Sequence, residues 1–167
     1  MPEPMPVPMT VADVLQMAIK VEQVGSQVYA RLAELFSPDQ EVGKLFALLD
    51  QQEKDHEDQF RTLFERLIPE GQRALSREQE QRLRKYAFDT FFSPVDGLVW
   101  NLEEVMSRED ALQRALKLEE TAVAYYTTLR EVVPSPALDA LVDIETHHVS
   151  MIRKQLGRAV TSPSSEA

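Results

Sequence analysis

The 167-residue sequence contains no cysteine. This absence excludes disulfides, a catalytic thiol, thiolate zinc sites and cysteine-ligated iron–sulfur or rubredoxin centres. Glycine is also scarce, with 5 residues, whereas Ala, Leu, Glu, Gln and Arg fill long stretches of the chain. Strong helix formers with few glycines predict an all-α protein, and the length suits one domain with tails.

Basic clusters and long apolar runs are missing as well. The formal net charge is −10, and there is no basic stripe that could replace the counterions of a nucleic acid. The N-terminal MPEPMPVPM has neither the basic region nor the apolar run of a secretion signal. No uncharged stretch approaches the roughly 20 apolar residues of a membrane span. We therefore expect a soluble cytoplasmic protein that binds no nucleic acid and no membrane.

Four long amphipathic segments each follow residues typical of a helix start. The first three are preceded by Thr10, by Ser37 as the predicted N-cap before Pro38, and by Ser107. The fourth follows Pro134-Ser135-Pro136, with Gly157 as its predicted C-cap. The predicted helices end near Phe36, Ile68, Val132 and Leu156.

The lengths of the connections predict the order of the helices. Two short turns make helices 1 and 2, and helices 3 and 4, antiparallel neighbours. About 40 residues separate helices 2 and 3, enough for a short helix from Ser76 to about Thr90 and another around Leu98–Met106. The expected fold is an antiparallel four-helix bundle over residues 10–158, in up-down-up-down order, with a long, partly helical crossover. Residues 1–9 and 159–167 are rich in Pro and Ser and are predicted to be disordered tails.

The chain contains an internal repeat. AIKVEQVGSQVYARL (18–32) aligns without gaps on ALKLEETAVAYYTTL (115–129). Helices 2 and 4 match too, because Leu49, Glu53, His56 and Phe60 correspond to Leu141, Glu145, His148 and Ile152. The sequence therefore indicates one helical hairpin used twice.

Metal-ligand residue types interrupt the predicted core seam of every helix. In a bundle helix the buried seam recurs at alternating steps of three and four residues. Six polar residues occupy seam positions that are otherwise apolar, Ala, Gly or Tyr: Glu22, Glu53, His56, Glu119, Glu145 and His148. Their neighbours Glu120 and His147 lie off the seam and are predicted to face outward.

The chemistry of this set favours metal binding. A single Glu-x-x-His on a helix is more often a solvated pair, but here two of them lie on repeat-related helices. Four buried carboxylates would each lose several kcal/mol of solvation and would repel one another. The seams hold no Lys or Arg to neutralise them, whereas two divalent cations would balance the charge. Mixed carboxylate and imidazole ligation suits Fe or Mn better than Mg or Ca. For Tyr29 and Tyr126, core packing is favoured over hydrogen bonds to the ligands.

At this point the sequence resembles the rubrerythrin-like branch of the ferritin-like superfamily, over about residues 10–157. The resemblance rests on A-x-x-x-E-x-x-x-x-x-x-Y in helices 1 and 3 and on E-x-x-H in helices 2 and 4. It implies two iron ions, with manganese as an alternative. It also implies Glu22 and Glu119 as terminal carboxylates, Glu53 and Glu145 as bridging carboxylates, and His56 and His148 as imidazole ligands.

The resemblance implies a di-iron oxidoreductase that reacts with hydrogen peroxide or oxygen. Two departures matter. The cysteine-rich rubredoxin module of full rubrerythrins is missing, so a separate electron donor is expected. Ala122 stands where rubrerythrins carry an additional Glu, which puts the peroxidase activity in question. The alternatives are a ferroxidase or iron-handling protein, a di-manganese catalase-like enzyme, and a non-enzymatic metal-binding protein. The aromatic crossover around Phe88–Trp100 predicts a homodimer.

Overall fold

The computed structural model describes residues 7–92, 102 and 107–161. Within these ranges the chain is helical, which confirms the predicted all-α fold. The helices are α1 (Val11–Leu35), α2 (Gln40–Arg66), α3 (Arg77–Tyr86), α4 (Arg108–Val132) and α5 (Pro136–Thr161). A 3₁₀ turn at Ile68–Glu70 follows α2, and a π-helical turn at Ala87–Phe91 continues α3. Apart from Leu102, the helix predicted around Leu98–Met106 lies outside the described residues. No helix in the described part of the chain is long and apolar enough to cross a membrane.

The starts of α1 and α4 agree with the predicted caps. The Thr10 hydroxyl accepts a hydrogen bond from the Asp13 backbone N–H (3.3 Å), and the Asp13 carboxylate accepts one from the Thr10 N–H (2.9 Å). The Ser107 hydroxyl accepts from the Asp110 N–H at 3.1 Å. Each cap satisfies N–H groups that the first helical turn leaves without partners.

The start of α2 differs from the prediction, because the N-cap is Asp39 and not Ser37. One carboxylate oxygen of Asp39 accepts hydrogen bonds from the N–H groups of Glu41 and Val42, both at 3.1 Å. A carboxylate at this place satisfies two donors and also interacts favourably with the positive end of the helix dipole. Ser37 and Pro38 therefore remain in the turn that reverses the chain.

The far end of α5 also differs from the prediction. The helix continues through Gly157 to Thr161, and no residue in the described ranges has a positive φ. A glycine inside a helix costs about 1 kcal/mol relative to alanine, too little to end a helix that packs well over its preceding turns.

At the other end of the chain, Met9 is buried, and its carbonyl accepts a hydrogen bond from the Leu75 N–H at 2.9 Å.

The bundle runs up-down-down-up and not, as predicted, up-down-up-down. Arg108, at the start of α4, lies 3.4 Å from Asp39 and 3.3 Å from Glu41, at the start of α2. Helices α2 and α4 therefore run in the same direction, because the crossover carries the chain back along the length of the bundle. Within the crossover α3 packs along α4, where Arg82 donates to the Thr128 hydroxyl at 3.1 Å.

The core lies where the seams predict it. The residues at seam positions of the four long helices are buried, apart from three near the helix ends that are partly buried: Phe36, Leu67 and Leu156. Helix α1 packs mainly against α2, and α4 mainly against α5, whereas the two hairpins meet more narrowly across α1–α4 and α2–α5. This arrangement directs one polar stretch of every long helix toward the centre of the bundle.

Candidate metal centre

The structure brings all six predicted residues together in the middle of the bundle. None is more than 5% exposed, and three are fully buried. Each long helix contributes from its central turns, α1 and α4 with one carboxylate each and α2 and α5 with a carboxylate and an imidazole each. The six are Glu22, Glu53, His56, Glu119, Glu145 and His148.

The six residues form two overlapping clusters. In each cluster the donor atoms all lie within 4.8 Å of one another. One cluster contains Glu22 and His56, the other contains Glu119 and His148, and both contain Glu53 and Glu145. The shared carboxylates are the two that the resemblance assigns to bridging positions.

Glu145 lies between the two imidazoles. Nδ1 of His56 is 2.9 Å from Oε1 of Glu145 and 3.6 Å from Oε2 of Glu22. Nδ1 of His148 is 3.2 Å from Oε2 of Glu145 and 3.3 Å from Oε2 of Glu119. The two rings are stacked, with centroids 5.6 Å apart and planes inclined by 19°. Both imidazoles therefore direct the same nitrogen toward the carboxylates.

Three buried atoms of the centre that could ligate a metal make no hydrogen bond: Oε2 of Glu22, Oε1 of Glu145 and Nδ1 of His56. The last two are close, but they lack the angular geometry of a hydrogen bond. A buried polar atom without a partner costs about 1–3 kcal/mol, and native proteins have few of them. Convergent oxygen and nitrogen lone pairs are the arrangement that a divalent cation satisfies, so these residues fit a metal site.

The carboxyl groups are electrostatically coupled. Burial, together with repulsion from Glu22 and Glu145, raises the pKa of Glu53 well above its usual range. Burial and the charge of Glu145 raise the pKa of Glu119 to about 8. Burial acts on Glu145 in the same sense, but the hydrogen bond with His148 and the adjacent imidazole of His56 hold its pKa below the usual range. Without a cation, the centre therefore favours a negative charge on Glu145 and protons on Glu53 and Glu119.

Burial acts on the two histidines in the opposite sense, but their pKa values also rise. Burial lowers the pKa of His56, but interactions with Glu145 and Glu22 outweigh it and raise the pKa to about 10. Burial likewise lowers the pKa of His148, and Glu119 and Glu145 raise it to about 9. The raised pKa values mean that the centre favours bound protons, and protons on the ligand atoms must leave when a cation binds.

Two tyrosines support the carboxylates from the opposite hairpin. Tyr29 of α1 donates a 2.5 Å hydrogen bond to Glu119 of α4, and Tyr126 of α4 donates to Glu22 of α1. Both side chains are almost fully buried. The sequence favoured core packing for these tyrosines, whereas the structure shows that they pack in the core and also bond the predicted ligands.

Comparison with known proteins agrees with this architecture. Residues 10–158 match the family model described as Ferritin-like domain. The chain belongs to the ferritin-like family. A Thermotoga maritima protein, provisionally described as a ferritin-like diiron-carboxylate protein, superposes with a TM-score of 0.72 at 20% identity. The alignment covers 91% of this chain and 97% of that one. No curated protein matches the sequence.

In this ferritin-like protein the neighbours of the six residues face away from the centre, as their helical register predicts. Glu120 is exposed and forms an ion pair with Arg153 at 2.8 Å. His147 is exposed next to the buried His148. Ala122, three residues after Glu119 on α4, is buried and offers no ligand atom.

Two further residues shape the centre, and sequence reasoning missed the role of each. A Cβ atom added at Gly25 would lie 3.0 Å from Oε2 of Glu53, so the glycine provides the space for that carboxylate. The side-chain oxygen of Gln52 accepts a hydrogen bond from Nε2 of His148. The repeat alignment contains a signal for Gln52, because the corresponding residue of the second hairpin is the apolar Ile144.

Proposed function

We propose that this protein is a non-haem di-iron oxidoreductase that reacts with hydrogen peroxide or oxygen, as rubrerythrins do, but without a rubredoxin module. The observation that carries the proposal is that two clusters of buried carboxylate and imidazole donors share Glu53 and Glu145. A pair of carboxylates shared by two clusters is the arrangement that bridges two adjacent metal ions.

Charge and ligand type support iron. Four carboxylates and two neutral imidazoles balance two divalent cations without any Lys or Arg in the centre. Nitrogen ligands disfavour Mg and Ca, while the full set suits Fe and also Mn. We assign Glu22 and Glu119 as terminal ligands, Glu53 and Glu145 as bridging ligands, and His56 and His148 as the imidazole ligands.

The chain would hold and protect this reaction centre. When bound, two ferrous ions supply the two electrons that, with two protons, reduce hydrogen peroxide to two molecules of water. The Tyr29 and Tyr126 hydroxyls hold the terminal carboxylates in place, and burial keeps bulk water out. Because the chain has no cysteine, a separate electron donor must restore the two electrons.

Steady-state peroxide consumption tests this proposal. The protein is loaded with Fe(II) without oxygen, and peroxide loss is followed with an external reductant, with Glu145→Ala as the control that lacks the shared carboxylate. We expect many turnovers per chain, and none in the variant. A single turnover followed by retention of many irons would instead support iron handling, and iron binding without turnover would support a non-enzymatic metal protein. Oxygen release from peroxide by the Mn(II)-loaded protein without reductant would support the catalase-like alternative.

We also propose a homodimer. Phe88 is 48% exposed on the π-helical turn and makes an edge contact with Phe92, with ring centroids 5.6 Å apart. The rest of the predicted aromatic surface, through Trp100, lies outside the described residues. Sedimentation equilibrium should give twice the chain mass, and a monomer throughout the micromolar range would contradict the proposal.

A further inference from the structure

A cavity of about 390 Å³ lies between α2 and α5, beside the candidate centre. Among its lining residues are Asp55, Asp143 and His147, which are exposed. His56 also lines it, although this imidazole is only 2% exposed. The cavity therefore connects the protein surface with one of the six residues of the centre.

The two sides of the centre differ in how they meet this cavity. His148 lies behind Gln52, which lines the cavity and accepts a hydrogen bond from Nε2 of His148. The repeat-related residue, Ile144, also lines the cavity, but its apolar side chain has no atom that could bond an imidazole N–H. His148 is thus fixed and covered by a partner from the facing helix, whereas His56 borders the open space. The internal repeat is broken at this pair.

Charge favours cations at the opening. Two carboxylates lie at the opening, those of Asp143 and of Asp55, which accepts a hydrogen bond from the Gln51 amide at 3.2 Å. A larger cavity of about 540 Å³, between α1 and α2, is lined by two cationic side chains and only one carboxylate (Lys20, Arg61 and Glu65), and by none of the six residues of the centre. The α1–α2 cavity is the larger of the two. As a route for a cation, however, the α2–α5 cavity is favoured by the charge of its lining and by its contact with the centre.

We infer that a hydrated divalent cation reaches the centre through the α2–α5 cavity, arriving first at the cluster that contains His56. This inference rests on the proposed metal-binding function. Asp55 and Asp143 attract the cation, Ile144 leaves the passage open beside His56, and Gln52 closes the side of His148. The two metal positions then fill and exchange at different rates, although their ligands are equivalent in type.

The test is the rate at which Co(II) binds to the metal-free protein, followed by the visible absorption of bound Co(II) in a stopped-flow instrument. Ile144→Trp fills the passage, and Gln16→Trp adds the same bulk to the α1–α2 cavity as the matched control. We expect Ile144→Trp to slow binding at least about fivefold without changing the amount of Co(II) bound at equilibrium, and Gln16→Trp to bind at the wild-type rate.

A second variant covers the case in which Ile144→Trp does not fold. Asp143→Asn changes only an exposed charge, and we expect it to slow Co(II) binding about threefold at low salt and not at all in about 0.5 M salt, where screening removes the attraction. Wild-type rates in Ile144→Trp, or in Asp143→Asn at low salt, would overturn the proposed route. Failure of the wild-type protein to bind Co(II) would overturn the metal-binding function itself.

Discussion

Helical register decides which of two adjacent residues reaches the centre. Glu119 is buried and Glu120 is exposed, although composition cannot distinguish them; the helix separates their directions by about 100°. We predict that Glu119→Ala loses about one of about two irons per chain, while Glu120→Ala keeps both. Glu145→Ala should retain less than about one iron, because Glu145 belongs to both clusters. The measurement is elemental analysis after anaerobic loading and desalting.

The same contrast applies to His148 and His147, with the exposed His147 as the control. Thermal melts of the metal-free variants separate loss of iron from loss of fold. Equal iron loss in Glu119→Ala and Glu120→Ala would contradict the assignment on α4, and equal loss in the two histidine variants would contradict it on α5.

At Gly25, the helix propensity of the residue and the space needed by the Glu53 carboxylate favour different side chains. Replacing a helical glycine by alanine stabilises a helix by up to about 1 kcal/mol, but at Gly25 the new Cβ would lie 3.0 Å from Oε2 of Glu53. Gly157 is the matched control, since a Cβ added there meets nothing within 4 Å. We predict that Gly157→Ala raises the unfolding free energy by about 0.5–1 kcal/mol with unchanged Mn(II) affinity. Gly25→Ala should gain less stability and bind Mn(II) about tenfold more weakly.

Denaturant unfolding and Mn(II) titration measure these two effects separately. Unchanged Mn(II) affinity in Gly25→Ala would mean that Glu53 moves aside without cost, and that the glycine does not position it.

At the scale of the helices, the sequence predicts the seams well and the helix ends less well. The buried positions recur at a fixed period along a rigid helix. This period alone predicts that Glu53, Glu145 and the other four residues face the core, and the loops need not be known. The start of α2 depends on a local competition between Ser37 and Asp39, both good caps, which the turn geometry decides. The hydrogen bond from His148 to Gln52 depends on how α2 and α5 are offset, and a pattern along one helix contains no information about that offset.

The cap of α2 gives a test at this scale. Asp39→Ala removes the acceptor of two N–H bonds and should lower the unfolding free energy by about 1 kcal/mol, whereas Ser37→Ala should change it by less than about 0.3 kcal/mol. Asp39 also lies 3.4 Å from Arg108. Asp39→Asn keeps a capping oxygen and removes the charge, so it separates the cap from the ion pair. Urea unfolding measures all three, and a larger effect at Ser37 would restore it as the cap.

Across the whole molecule, protons and metal ions compete for the same buried atoms. The pKa of Glu119 is about 8 in the folded chain against a usual value of 4.5, and the pKa of His56 is about 10 against 6.5. A raised pKa means that the folded state binds more protons, so this contribution is complete below the usual value and is lost as the pH rises through the folded one. The lowered pKa of Glu145 acts in the opposite direction, below about pH 4.5.

We therefore predict that the metal-free protein loses stability between about pH 5 and pH 10, as the centre gives up its protons. Saturating Mn(II) should raise the melting temperature more at pH 8 than at pH 6, because fewer protons must be displaced. Calorimetry in buffers of different ionisation enthalpy should show proton release on binding. Identical melting shifts at both pH values, or binding without proton release, would contradict this account.

Tyr29 donates a hydrogen bond to Glu119, and Tyr126 donates one to Glu22, so each hairpin positions a carboxylate of the other. The two hairpins of one chain contact each other as the subunits of an isologous dimer do, because the same tyrosine–carboxylate hydrogen bond is made in both directions. Neither half can change its phenol or its carboxylate without consequence in the other, so substitutions across the two halves will not add. These reciprocal bonds couple residues that lie 90 and 104 positions apart in the sequence.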